Sequence, residues 1–217
     1  MMDDFQNLLQ NGMIFSEGLA ALVSIVFLKK VKGSHYRYFS IFLIFIFCCE
    51  IFGKFAEDYI SYPKNLFFNY FVIPIEFIFF YWLYAYQSLN NKKLFFIISG
   101  IFLLAFIPNE LYFIKNKQIF SFNYTFGSLL MAFLVVMEYY KQVNSDNILN
   151  FWKNRMFYIN LGVTLFYIGT LPFWAFYFQL LEHMDIWNLY YSYFLLSGII
   201  MYLLFASAFI WGKQNYI

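Results

Sequence analysis

Two cysteines, two histidines and four prolines occur in 217 residues, and only 12% of the chain is charged. Cys48 and Cys49 are neighbours within one apolar stretch, where consecutive side chains diverge, so a disulfide between them is not expected. His35 and His183 fall in separate connections, leaving no spacing that suits a metal and no nucleophile–base pair. There is no glycine-rich phosphate loop and no nucleophile elbow. The polar connections are too short for a soluble domain of even about 50 residues. These absences predict that the protein is not an enzyme and uses no cofactor or metal. A net charge of +2 spread over the chain likewise offers no nucleic-acid surface.

What the sequence has is hydrocarbon: 63% of its residues are hydrophobic and 27% of the whole chain is aromatic. A chain this poor in charge cannot keep a soluble surface, and its apolar blocks approach the roughly 20 residues needed to cross a bilayer. Seven blocks are read, at about 12–29, 37–57, 66–87, 93–108, 119–140, 156–180 and 187–212. They do not alternate in polarity as barrel strands do, and backbone in lipid must satisfy its own hydrogen bonds. The expectation is an all-α integral membrane protein, a single seven-helix transmembrane domain over residues 1–217.

Basic residues set the orientation. With the amino terminus outside, Lys29, Lys30, Lys32, Arg37, Lys92, Lys93, Lys141, Lys153, Arg155 and Lys213 are cytoplasmic, against Lys54, Lys64, Lys115 and Lys117 outside. Glu57, Asp58, Glu110, Glu182 and Asp185 then also lie outside, with Asp146 within. The start, MMDDFQNLLQ, is acidic where a secretion signal is basic, so no cleaved leader is expected. The carboxyl terminus is cytoplasmic and the protein belongs to an inner, cytoplasmic membrane in this reading.

Polar residues in hydrocarbon are costly and mark candidate sites. Glu17 and Ser24 share one face of the first helix, and Glu50 and Lys54 stand one turn apart in the second, the spacing of a neutralising pair. Asn69 and Glu76 lie seven apart on the third, where Pro74 removes a backbone donor and frees the carbonyl of Tyr70. In the sixth helix Asn160, Thr164, Tyr167, Thr170 and Trp174 form one stripe, with Gly162 and Gly169 permitting close approach and Pro172 a second break. The candidate ligand-binding set is Glu76, Asn69, Glu17, Glu50, Lys54, Tyr167, Thr170 and Trp174, with Pro74 and Pro172 as hinges. Most of these belong to the outer half, which predicts an outward-facing cavity above a drier cytoplasmic half. Glu138, beside Lys141, reads as a surface pair near the inner interface.

The stretches NYFVIPIEFIFFYWLY, NLGVTLFYIGTLPFW and IWNLYYSYFLLSGIIMYLLFASAF resemble a group of bacterial seven-helix membrane proteins. In that group a similar bundle occurs alone or as the membrane-sensing region of some histidine kinases. The resemblance implies a sensor that binds a small molecule or lipid and passes the signal to a separate partner, a histidine kinase or another membrane signalling protein, because the chain carries no catalytic segment after Ile217. Two other readings suit the same residues: a small proton-coupled carrier using Glu76, and a membrane scaffold or effector subunit.

Overall fold

The computed structural model describes residues 2–56, 64–113, 121–145 and 148–213. Glu57, Asp58, Lys115, Lys117 and Asp146 lie outside the described residues. Seven helices are long and apolar enough to cross a membrane: α1 (Asp4–Val26), α2 (Tyr36–Phe55), α3 (Phe68–Ser88), α4 (Lys92–Phe113), α5 (Phe122–Val143), α6 (Arg155–Ala175) and α7 (Met184–Ile210). Among the described residues no β-strand forms, and the one extended contact is a bridge between Asn154 and Lys213. This is the architecture of a multi-pass membrane protein.

Two of the boundaries that differ from the sequence reading have a local cause. The helix that contains α1 already begins at Met2, because the acidic start interleaves Phe5, Leu8 and Leu9 with polar residues and gives an amphipathic lead-in to the apolar run. α4 runs on through Pro108 to Phe113, where the ladder widens to a π-helix over Asn109–Phe113 rather than stopping at the proline.

Prolines shape α3 and α6 in the same way. In α3 a π-helical turn, Phe68–Val72, precedes Pro74; in α6 another, Thr164–Ile168, precedes Pro172. Proline lacks the N–H that would continue the ladder and its ring crowds the preceding turn, so the widened turn absorbs the misfit upstream. In α6 the amide of Gly169 reaches back to the carbonyl of Thr164 at 3.0 Å.

α3 is the centre of the bundle. Its Phe79 stacks on Phe42 of α2 at 4.0 Å, Phe77 meets Phe102 of α4 and Tyr124 of α5, and Phe80 meets Tyr167 of α6 and Phe205 of α7. Such offset and edge-on pairs add specific geometry to dispersion, the main packing term where lipid removes any hydrophobic gain between helices. α1 packs chiefly on α7 and α2, and α6 packs on α7. Gly162 makes that last approach possible, since a Cβ there would sit 3.2 Å from Met201 of α7. At one end of the bundle Lys64, Ser121 and Trp174 come together with Met13 of α1 and Glu50 of α2. At the other, Ser88 at the end of α3 is bonded to Lys141 near the end of α5.

Candidate functional site

A cavity of about 250 Å³ opens in the half that holds the start of α1. Every spanning helix except α4 contributes to it: Met13, Glu50, Asn69 and Glu76, Tyr124, Trp174 and Tyr202 come from α1, α2, α3, α5, α6 and α7 in turn. Phe166 and Phe194 complete an aromatic wall. Beside it lies a more polar space of about 360 Å³ lined by Gln10, Glu17, Glu50, Lys54, Lys64 and Tyr191. Met13, Glu50, Lys64 and Phe194 border both, so the two spaces adjoin.

Glu76 is the polar group at the inner wall. The Tyr167 hydroxyl donates to Glu76 Oε1 at 2.5 Å, tying α6 to α3 between their π-turns and prolines. Tyr167 itself is fully buried and does not line the cavity; it stands behind the carboxyl, stacked with Tyr124 and edge-on to Phe77 and Phe80. Tyr124 in turn meets Trp174 at 5.2 Å, so Trp174 touches a ring that stacks on Tyr167 behind Glu76.

The other sequence candidates separate into groups. Asn69 and Trp174 line the inner cavity, Glu17 and Lys54 line the outer space, and Glu50 faces both. Glu17 is only 1% exposed and its Oε1 has no hydrogen-bond partner among the described residues. Thr170 is buried, bonds back to the Phe166 carbonyl at 2.5 Å and is not among the lining residues. The expected pairing of Glu50 with Lys54 is replaced: Lys54 donates to Asn11 Oδ1 of α1 at 3.2 Å, and the cation acting on Glu50 is Lys64, from the connection before α3. A helix-long view of α2 misses this because Lys54 is exposed and bonded toward α1, while Lys64 belongs to the segment Lys64–Phe67 that leads into α3.

A second polar centre occupies the opposite half, where a drier interior is expected from the sequence. Glu138 is 1% exposed rather than a surface residue; it accepts from Ser88 Oγ at 2.6 Å and from Gln142 Nε2 at 2.9 Å. Lys141 is linked to it through Ser88, donating to that residue's carbonyl at 2.7 Å and hydroxyl at 3.1 Å. The reason is local: the π-helical end of α3, Trp82–Ser88, turns Ser88 inward and supplies partners that hold both side chains away from the lipid face. Asn160 and Arg155 of α6 are also buried, with side-chain nitrogens lacking partners among the described residues. Asn160 was visible as a stripe residue; Arg155 was read only as an orientation signal.

A further groove of about 770 Å³ between α2 and α3 is walled by Ile41, Phe45, Ile75, Phe79 and Trp82. It carries almost no polar chemistry and suits a lipid chain along the outside of the bundle. No family model, no curated protein and no solved structure matches this chain, so its chemistry is argued from the arrangement of its own side chains.

Proposed function

We propose that the chain is a sensor or signalling module of a bacterial inner membrane, in which a small molecule or lipid occupies the cavity at Glu76 and shifts α3 against α6. The observation that carries this reading is the Tyr167–Glu76 hydrogen bond at the cavity wall, made between two helices that are both interrupted by a π-turn and a proline. A ligand group that competes for Glu76 releases Tyr167, and both helices have the local slack to respond. Three carboxyl groups, Glu17, Glu50 and Glu76, beside aromatic walls favour a ligand with a cationic or hydrogen-bond-donating group on an apolar body. The ligand is bound and released unchanged, without a cofactor.

The distribution of Lys and Arg supports an amino terminus outside, which opens the cavity outward and turns the basic connections toward the cytoplasm. A histidine kinase or another membrane signalling protein is then the receiver of the signal. Trp174 lines the cavity and gives the test a direct readout. Primary amines with chains of about six to ten carbons, set against the matching alcohols, should change tryptophan fluorescence saturably in purified protein. E76Q should lose that saturable response while accumulating in membranes like the parent. A response unchanged in E76Q, or none in either protein, would sink the reading.

One observation favours a second reading, a proton-coupled carrier. Below Tyr167 the polar groups continue along α6, through the 3.1 Å contact of Thr164 with Tyr139 to the buried Asn160, instead of ending at the cavity. Liposomes separate the two: uptake of the amine driven by a pH gradient and lost in E76Q supports the carrier, and binding without uptake supports the sensor.

A further inference from the structure

The end of the bundle away from Glu76 contains a buried cation with no anion facing it among the described residues. Arg155 opens α6 and is 2% exposed, yet Nε, Nη1 and Nη2 all lack a hydrogen-bond acceptor there. A guanidinium keeps its charge in proteins, so it cannot escape the cost of burial by losing a proton. An unpaired buried charge is among the least tolerable features of a folded chain.

The surroundings add positive charge instead of cancelling it. The amides of Met156 and Phe157 in the first turn of α6 are taken by the side chain and carbonyl of Asn154, at 2.9 and 3.2 Å, so what this turn adds is the positive end of the helix dipole. An arginine at that position opposes the dipole, so helix stability does not explain it. Lys141 and Arg155 both act on His35, whose Nε2 is buried without a partner. Tyr36 lies under the guanidinium, 5.3 Å from Cζ to ring centre, and offers a π face but no counter-charge. The buried carboxylate of this half, Glu138, is already held by Ser88 and Gln142.

The position of the side chain is constrained as well. Gly212, just past α7, is pressed so closely on the Arg155 stem that any Cβ there would overlap Arg155 Cγ. The amide of Lys213 then bonds the carbonyl of Lys153 at 2.8 Å, clamping the end of α7 to the start of α6. The guanidinium is thus held at one place by contacts from α2, α6 and the end of α7.

We propose that Arg155, with His35 and the first turn of α6, binds an oxyanion of the phosphate type. The planar fork of the guanidinium matches two oxygens of a phosphate or phosphodiester, and the unpartnered Nε2 of His35 can donate to a third. Lys30 and Lys32 in the connection before His35 add positive charge at this end. The phosphate can arrive on a lipid headgroup or as a free ion, and the experiment separates these sources.

The full chain, purified in a neutral detergent, is unfolded thermally with added phosphatidylglycerol, phosphatidylcholine or inorganic phosphate at matched ionic strength. Phosphatidylglycerol should raise the midpoint by roughly 5 °C at saturation, and phosphatidylcholine far less. A comparable rise with inorganic phosphate assigns the site to free anions; its absence assigns it to the headgroup. The gain should vanish in R155Q and persist in K29Q, which removes an exposed cation of the same end. Should R155Q fail to fold, R155K keeps the charge but not the fork and should retain less phosphatidylglycerol in native mass spectrometry. An equal gain in R155Q and K29Q, or equal lipid retention by R155K and the parent, overturns the proposal. So does a parent without any gain.

Discussion

Around Glu76 the buried charge is acidic and the walls leave open space; around Arg155 it is basic and the side chains close over it. The acidic end has neutral and mobile ways of balancing its carboxyls: the hydroxyl of Tyr167, the ammonium of Lys64, a proton or a ligand. The basic end has a guanidinium that keeps its charge, fixed by Gly212 and the α6–α7 clamp. One end is built to change its occupant and the other to hold one. That division suits a membrane module in which the cavity half moves relative to an anchored half, and it can be broken or sharpened by substitution.

The largest effect is expected at the layer that separates the ends. Phe77 is wholly buried and touches Phe102, Tyr124 and Tyr167 at ring distances of 5.3, 5.6 and 5.4 Å. Phe77→Ala removes contacts from three helices at once and should lower stability by about 3–5 kcal/mol, read by thermal unfolding in detergent. A loss under about 1 kcal/mol would mean that the layer collapses readily and does not partition the bundle. Next is Glu138→Leu, which leaves Ser88 and Gln142 without their shared acceptor and should cost about 2–3 kcal/mol. Glu76→Gln should cost under about 1 kcal/mol, because the amide oxygen still accepts from Tyr167 while the charge is lost. If E76Q proved more damaging than E138L, Glu76 would be helix glue and the adjustable end would be the wrong one.

How much of this was legible in the sequence follows from what each signal measures. Seven spans were readable because twenty apolar residues in a row admit only a few structures, and the polar residues that line the cavity were readable because hydrocarbon isolates them. Spacing along one helix was a weaker guide. It paired Glu50 with Lys54, whereas the cation acting on Glu50 is Lys64, from the segment leading into α3. It also put Glu138 on the surface, since nothing in the neighbouring residues tells that Ser88, fifty positions earlier, is turned toward it by a π-turn. Arg155 was counted only for topology. The clue to more was its place at the very start of a helix, where a cation is unfavourable unless something anionic binds it.

The smallest expected effect tests whether the basic end is sensitive to added positive charge. Burial, then Arg155, then Lys141 hold the His35 imidazole below its ordinary pKa. The unfolded chain therefore takes up a proton near pH 6.5 while the folded chain still resists it. Stability from this group is complete above that value and is lost as pH falls through the unfolded pKa toward the folded one. Going from about pH 7.5 to about pH 5.5, the unfolding midpoint of the parent should fall further than that of H35Q, by no more than about 2 °C. Buried carboxyls are common to both proteins, so the difference isolates the imidazole. Phosphatidylglycerol should shrink it, because an anion on Arg155 cancels one of the two cations that repel the proton; a difference that grows with anionic lipid would place the anion elsewhere.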